Sequence, residues 1–341
     1  MRILITCGDT NGIGLELFLR AAGAGRLQPW NGMLWLCAPR QAVSAYAQML
    51  AARGLLPSWE VGSSLVRIGG ATIPLVPIEE GDPAVEFGMP TAASGRAAYA
   101  ALRYAGEALV RGEYQAVVTL PVSKHALRLA GFPYPGQTEF FGAVARQEPL
   151  MILACPVLRV ALVTIHEPIA RVAARISHRR VVETIERFAT SLRQDFAVAT
   201  PRIAVLGLNP HAGEQGAIGT EEEEVIRPAI AQCRQRGIDV DGPYPADGFF
   251  ARQQWRAFDG VLAQYHDQGL IPLKMLAQGR GVNITAGLPF VRTSPDHGTA
   301  YDLVGTGRAD DASLVEAIGM AQYLAHNRQH FLRHVSPLHS C

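Results

Sequence analysis

Short, unbroken runs of Val, Ile, Leu and Ala recur along this chain, and between them lie longer stretches with helical periodicity. The runs fall at residues 3–7, 33–38, 72–76, 116–120, 150–155, 160–165, 203–208, 260–264 and 282–285. A strand with one wet face alternates apolar and polar residues. A strand covered on both faces does not, so continuous runs call for helices above and below the sheet. The intervening segments supply them. Residues 91–111 place Ala97, Ala101, Tyr104 and Leu109 near one face, and residues 177–192 space Val181, Ile185, Phe188 and Leu192 as a helix does. A third segment starts at Thr220, with Glu223 as its capping-box partner, and runs to Gly237. Alternating strand and helix predicts a doubly wound α/β fold with a parallel sheet. At 341 residues about two domains are expected, and without a Pro/Gly/Ser-rich hinge the chain should cross between them more than once. Residues 334–341 read as a frayed tail.

Composition narrows the function classes. With 48% hydrophobic residues a sizeable core can form, and disorder is excluded. Lys and Arg number 31 against 30 Asp and Glu, and no basic block stands out beyond arginines spaced like a helix surface at 171–180. Nothing here suits nucleic acid. No apolar run reaches the roughly 18 residues a membrane span needs, and the opening MRILITCGDT reads as a strand rather than a signal peptide. Five scattered cysteines (Cys7, Cys37, Cys155, Cys233 and Cys341) form no CxxC pair, which fits a reduced cytoplasm.

Two features could carry chemistry. Gly8-Asp9-Thr10-Asn11-Gly12-Ile13-Gly14 joins the first strand to a helix, a common place for phosphates. Its spacing is neither GxGxxG nor GxxxxGK[ST], so a tight turn that needs glycine is the better reading. The second feature is a set of histidines. His166, His211 and His266 each follow a predicted buried strand, and strand carboxyl ends converge on the ligand crevice of open α/β sheets. One such histidine is usually just packed and hydrogen-bonded. Three imidazoles around one crevice match the ligand set of an open catalytic Zn²⁺ or similar divalent site. Asp247 and Asp267 lie close by in sequence as orienting groups or proton acceptors. His326, His330 and His334 also share a helix face, but without a partner glutamate a solvated face accounts for them.

At these residues the sequence resembles the 4-hydroxythreonine-4-phosphate dehydrogenase (PdxA) family over nearly its whole length, to about residue 325. The blocks that carry the resemblance begin with Gly207-Leu-Asn-Pro-His-Ala-Gly-Glu214, Tyr265-His-Asp-Gln-Gly269 and Gly279-Arg-Gly-Val-Asn-Ile-Thr285. Leu288-Pro-Phe-Val-Arg-Thr-Ser294 and Asp296-His-Gly-Thr-Ala300 complete them. The resemblance implies two α/β/α domains around a cleft, similar to isocitrate and isopropylmalate dehydrogenases. Residues 1–135 with 295–341 would form the first domain. Residues 136–294 would form the second, with most of the site and the dimer contacts. It also implies a metal (Zn, Mg or Co) on His166, His211 and His266, and a homodimer whose partner completes each active site. Substrate contacts would come from Gln137, Thr138, Lys274, Asn283 and Arg292, and NAD or NADP would bind at His297, Gly298 and Thr299.

The implied reaction is oxidation of 4-phosphooxy-L-threonine at C3, then decarboxylation of the β-keto acid to 3-amino-2-oxopropyl phosphate. Lys274 and Arg292 suit the anionic ends of that substrate, Asp247, Asp267 and Lys274 are the candidates for proton handling, and Lys124 is a further one. Departures bear on the substrate. Gln137 stands where the family pattern has His, Gly248 where it has Thr, and the opening glycine loop differs too. Gln keeps an N–H donor but carries no charge. Three alternatives therefore stay open: a paralogue acting on a phosphorylated four-carbon sugar acid or a cis-diol carboxylate, a His₃ zinc hydrolase, and a non-catalytic metal-binding protein.

Overall fold

The computed structural model describes residues 1–78 and 85–335, with nothing said of the side chain of Val335. In chain order the first elements are β1 (Ile3–Thr6), α1 (Ile13–Gly23), β2 (Leu34–Ala38), α2 (Arg40–Ala52), β3 (Trp59–Val61), β4 (Leu65–Ile68) and β5 (Ala71–Pro77). They are followed by α3 (Ala92–Val110), β6 (Ala116–Thr119), α4 (Lys124–Leu129) and α5 (Gln137–Ala145). Next come β7 (Leu150–Cys155), β8 (Leu158–Leu162), α6 (Ile169–Arg175), α7 (His178–Gln194), β9 (Arg202–Leu206), α8 (Arg227–Gln235) and β10 (Asp239–Tyr244). The chain ends through α9 (Ala246–Ala251), β11 (Gly260–Ala263), α10 (His266–Ala277), β12 (Val282–Ala286), β13 (Val291–Pro295) and α11 (Ala312–Val335).

Two compact units result: Met1–Glu148 with Leu288–Gln322, and Pro149–Gly287 with Tyr323–Cys341. Gln137, Thr138 and Arg292, expected among residues 136–294, fall in the first unit. In that unit the strands run in the order β13-β6-β1-β2-β5-β4-β3. β13, β6, β1, β2 and β5 run parallel to one another, β4 is antiparallel to β5, and β3 is antiparallel to β4. β1 and β6 are buried along their whole length, as their unbroken apolar runs require. In the second unit the order is β10-β9-β11-β8-β7-β12. β10, β9, β11 and β8 are parallel. β7 is antiparallel to both β8 and β12. The expectation of an all-parallel sheet fails there for a covalent reason. Only Pro156 and Val157 separate β7 from β8, a hairpin length, whereas a parallel return needs about a dozen residues or more.

The helices form where the sequence pattern puts them. Thr91 and Ser94 build a reciprocal capping box at the start of α3, and Ser177 caps α7 through the Arg180 N–H. The third expectation needs correction. The Thr220–Glu223 capping box does not form; a π-helical turn (Glu222–Ile226) precedes α8, and Glu223 pairs with Arg227. Cys7, Cys37, Cys155 and Cys233 are buried free thiols. His326, His330 and His334 are exposed on α11, and residues 336–341 of the expected tail lie outside the described residues.

The α3–α4 packing rests on the absence of one side chain, since a Cβ at Gly95 would run into the Ala126 carbonyl. Gly95→Ala should cost about 2–3 kcal/mol, as overpacking against backbone does, and lower Tm by roughly 5–10 °C. Gly70→Ala, which meets nothing within 4 Å, should leave Tm unchanged in the same calorimetric scan.

Candidate active site

In the second unit the site is built where two parallel strands end side by side. Beyond β8 and β11 the ladder continues through Val163 N–H to the Ala263 carbonyl (2.9 Å) and Thr164 N–H to the Gln264 carbonyl (3.1 Å). The Thr164 hydroxyl donates to that same carbonyl at 2.7 Å. Two residues further along each strand stand His166 and His266, whose ring centroids are 5.9 Å apart. They line a pocket of about 240 Å³ with Ile165, Glu167, Ile169, Tyr265 and Asp267. His266 opens α10, and its Nδ1 lies 2.8 Å from an Asp267 oxygen, which orients the ring and leaves Nε2 to face a ligand.

The neighbouring strand β9 is fastened to the same end. Gln264 donates through Nε2 to the Leu206 carbonyl at 2.7 Å and through its backbone N–H to Gln268 Oε1 at 2.7 Å. Gln268 in turn donates to the Gly207 carbonyl at 2.6 Å. From there the chain enters a left-handed turn. His211, Ala212, Gly213, Glu214 and Gln215 all have positive φ, between 43° and 77°. Each non-glycine residue there costs about 1–2 kcal/mol. The buried carboxylate of Glu222 holds the entry to the turn, accepting the Leu208 and Asn209 N–H groups at 2.7 Å each and Asn209 Nδ2 at 2.9 Å.

The expected trio is thus met in part. His166 and His266 come together, while His211 sits exposed on the left-handed turn, and among the described residues no group of three His, Cys, Asp or Glu side chains is placed to hold a metal. The two imidazoles suit a divalent ion chemically, and the third donor is not gathered with them. Asp247 is exposed in the first turn of α9 and does not line this pocket. Lys274 lies two turns along α10 from His266. Asn283, on β12, keeps a buried Oδ1 with no protein donor.

The first unit carries a separate polar group. Arg292, in the middle of fully buried β13, is only 3% exposed. Its Nε and Nη2 donate to the Thr119 hydroxyl at 3.1 and 2.7 Å, and Nη1 reaches the Thr138 hydroxyl at 3.4 Å. Burial pulls its pKa down to about 10 against the opposing pull of Glu139, so the guanidinium stays charged at neutral pH. Gln137 and Thr138 are the first residues of α5, whose N-terminal N–H groups and dipole favour an anion. The Gln137 amide donates weakly to the Leu120 carbonyl at 3.5 Å, which turns Oε1 the other way, where it is buried without a partner. His297 also has a buried, unpartnered Nε2, and a Cβ at Gly298 would meet open space. Those two facts suit a bound cofactor. Lys124 is exposed at the start of α4.

Sequence reasoning missed Thr119, Thr164, Gln264, Gln268 and Glu222. Thr119, Thr164 and Gln264 were legible only as strand ends, and Gln268 only as part of the block that follows Tyr265. Glu222 was hidden in an acidic run that reads as a helix start.

Comparison with known proteins gives a consistent picture. The family model described as pyridoxal phosphate biosynthetic protein PdxA matches residues 39–321. A 4-hydroxythreonine-4-phosphate dehydrogenase of Bacteroides thetaiotaomicron is 41% identical over 335 residues, covering 96% of this chain and 90% of its own. A crystal structure of 4-hydroxythreonine-4-phosphate dehydrogenase from Klebsiella pneumoniae superposes with a TM-score of 0.83 at 35% identity, over 95% of this chain and 99% of that one. A terephthalate 1,2-cis-dihydrodiol dehydrogenase from Burkholderia xenovorans matches with a TM-score of 0.63 at 28% identity, over 95% and 98%.

Thr119 anchors the buried cation. Thr119→Val keeps the shape but removes the acceptor of two Arg292 donors, and should cost about 1–3 kcal/mol, read as a lower midpoint in urea. An added anion such as inorganic phosphate, if it binds the Arg292 guanidinium, should bind equally through neutral pH and lose affinity as pH rises through about 10, read by isothermal titration.

Proposed function

The chain belongs to the PdxA family, whose members are dehydrogenases, and from that premise we propose that it catalyses NAD-linked oxidation and decarboxylation of 4-phosphooxy-L-threonine to 3-amino-2-oxopropyl phosphate. The observation that carries this reading is Arg292, buried in β13 with its guanidinium reaching Thr138 in the first turn of α5, a charged fork suited to an anionic end of the substrate. Thr138 and the α5 N-terminus add neutral donors to the same group.

To the pocket of His166 and His266 we assign the metal chemistry of the reaction. With His211 they would hold a divalent ion (Zn, Mg or Co), which when bound makes the C3 hydroxyl acidic enough to lose its proton near neutral pH. Asp267 keeps the His266 ring turned with Nε2 outward. Lys274, from the same helix, is the group we assign to the substrate's second anionic end and to proton transfer after CO₂ leaves. Asn283 offers its unpartnered Oδ1 to a substrate donor. Asp247 is a poorer candidate for the base, being exposed and away from the pocket lining. NAD or NADP would lie against His297, Gly298 and Thr299, where a buried imidazole nitrogen and open space stand together.

A homodimer fits an exposed apolar stripe on α10. Ile271 and Met275, one helical turn apart, are 59% and 74% exposed on the helix that carries His266 and Lys274. A partner that covered this stripe would also border the pocket. Nothing in composition suggests nucleic acid or membrane, no helix among the described residues is long and apolar enough to span a bilayer, and a cytoplasmic setting suits the free thiols.

A second reading has support in the Gln137 amide and in the cis-dihydrodiol dehydrogenase relationship. A buried acceptor at Gln137 would welcome a hydroxyl donor where a phosphate dianion would be repelled. A substrate panel separates the readings. NAD reduction with 4-phosphooxy-threonine, abolished by chelator and restored by a divalent ion, is the expected result. Faster turnover of an unphosphorylated cis-diol acid would move the assignment to the paralogue, and hydrolysis without NAD would point to the hydrolase.

The interface reading has its own check. Met275→Glu places a charge in the middle of the stripe and should convert a dimer into a monomer in analytical ultracentrifugation. Turnover should then drop at least tenfold while far-UV circular dichroism stays native. A monomeric, fully active wild-type protein would end the shared-site idea.

A further inference from the structure

The glycine loop after β1 has the look of a phosphate cradle, yet four of its backbone donors are turned to the protein itself. Asp9 N–H goes to the Pro121 carbonyl (2.8 Å), Gly12 N–H to the Asp9 carbonyl (3.1 Å) and Ile13 N–H to the Thr299 carbonyl (2.9 Å). Asn11 N–H goes to Asp9 Oδ1 at 2.9 Å. The loop faces the segment 297–305. Tyr301 donates its hydroxyl to Asp9 Oδ2 at 2.7 Å, and Gly305 donates its N–H to Glu16 Oε2 at 2.6 Å. The other Glu16 oxygen meets Arg20 at 3.4 Å. Asp9 is 1% exposed and Glu16 is fully buried. Gly12 is close enough to Thr299 that a Cβ there would come within 2.9 Å of it.

Buried carboxylates are costly, and a turn alone needs neither of these. Asp9 meets neutral donors, from Asn11, Tyr301, Ser94 and Ser123, and burial pushes its pKa up, so placing it here costs energy that a hydrophobic residue would not. Both acids instead fasten residues 301 and 305, directly after Ala300, a non-glycine residue held at φ 38°, while the Ile13 N–H holds the Thr299 carbonyl before it. The same segment holds the unpartnered His297 Nε2 and the open space at Gly298.

We propose that Asp9, Glu16 and Tyr301 form a brace that sets the conformation of residues 297–300 for the nicotinamide cofactor, and that the glycine loop itself touches no phosphate. They are positioning residues, and the proposal rests on the cofactor reading of residues 297–299.

The test is direct titration of the purified protein with NADH, followed by nicotinamide fluorescence, so that binding is read without turnover. Tyr301→Phe removes one oxygen and keeps the ring. It should raise the NADH dissociation constant roughly tenfold, shift Tm by no more than a few degrees, and leave KM for the acid substrate at saturating NAD within twofold. Asp9→Asn keeps an acceptor for Asn11 and a polar partner for Tyr301, so it should retain most of the affinity that Tyr301→Phe loses. Gly298→Glu, which fills the open space, should abolish NADH binding. If Gly298→Glu does so while Tyr301→Phe leaves the dissociation constant within twofold, the brace is overturned and the cofactor site stands. If Gly298→Glu binds NADH normally, the cofactor reading falls and the brace with it. A lowered Tm with unchanged NADH affinity in Tyr301→Phe would likewise reduce the contact to a structural one.

Discussion

A parallel strand hydrogen-bonded on both edges and covered on both faces can offer reactive side chains only where it ends. β8 and β11 obey that constraint, and their ladder is carried two residues past the regular strands by Val163 and Thr164. The extension brings His166 and His266 to one level, 5.9 Å apart. Without the Thr164 hydroxyl on the Gln264 carbonyl, the two ends could splay before reaching the histidines. Gln264 and Gln268 then tie the end of β9 to the same point through the carbonyls of Leu206 and Gly207. Gln268 bridges because its side-chain amide accepts from the Gln264 N–H and donates to the Gly207 carbonyl, so one residue ties two strand ends.

Arg292 breaks the rule, and the sheet register explains how. It lies inside β13 opposite Val117 of β6, and Thr119, two residues further along β6, points to the same face. The guanidinium therefore finds a hydroxyl within its own layer. A neutral hydroxyl stabilises the buried cation without cancelling it, as a carboxylate would. Burial lowers its pKa only to about 10, with Glu139 pulling the other way, so it stays charged at neutral pH.

The legible parts of this fold were those where one physical cause dominates. Unbroken apolar runs such as 150–155 and 203–206 can only be buried, and they are strands. β13 escaped notice because Val-Arg-Thr-Ser-Pro reads as polar, although every residue of it is buried. β10 escaped because Asp-Val-Asp-Gly-Pro-Tyr is an edge strand with proline inside. Strand direction was the larger loss. Hydrophobicity carries no direction; connection length does, and the two residues between β7 and β8 decide it. At the site, the histidine positions were legible from strand ends, but their grouping was not. His166 and His266 belong to adjacent strands, whereas His211 is reached through five residues of left-handed backbone that no composition pattern announces.

That turn shows how the chain meets the cost of an unusual shape. Four non-glycine residues in left-handed conformation cost about 4–8 kcal/mol together. The three hydrogen bonds that Glu222 accepts from Leu208 and Asn209, each to a charged acceptor, return about 5–9 kcal/mol. The terms are of one size, so the turn persists only while its carboxylate does. Gly213 is fitted to the same anchor, since a Cβ there would come within 2.6 Å of a Glu222 oxygen. Asp9 and Glu16 repeat the device at the 297–305 segment. In each case an acidic side chain is removed from water, accepts donors from the segment, and sits behind it rather than in the ligand's path. Exposed acids pair with arginine near solvent, as Glu183 does with Arg179 and Glu60 with Arg67, where a pair contributes little. Burying a carboxylate against a loop fixes that loop in one conformation, and here the loops so fixed are those that carry His211 and His297.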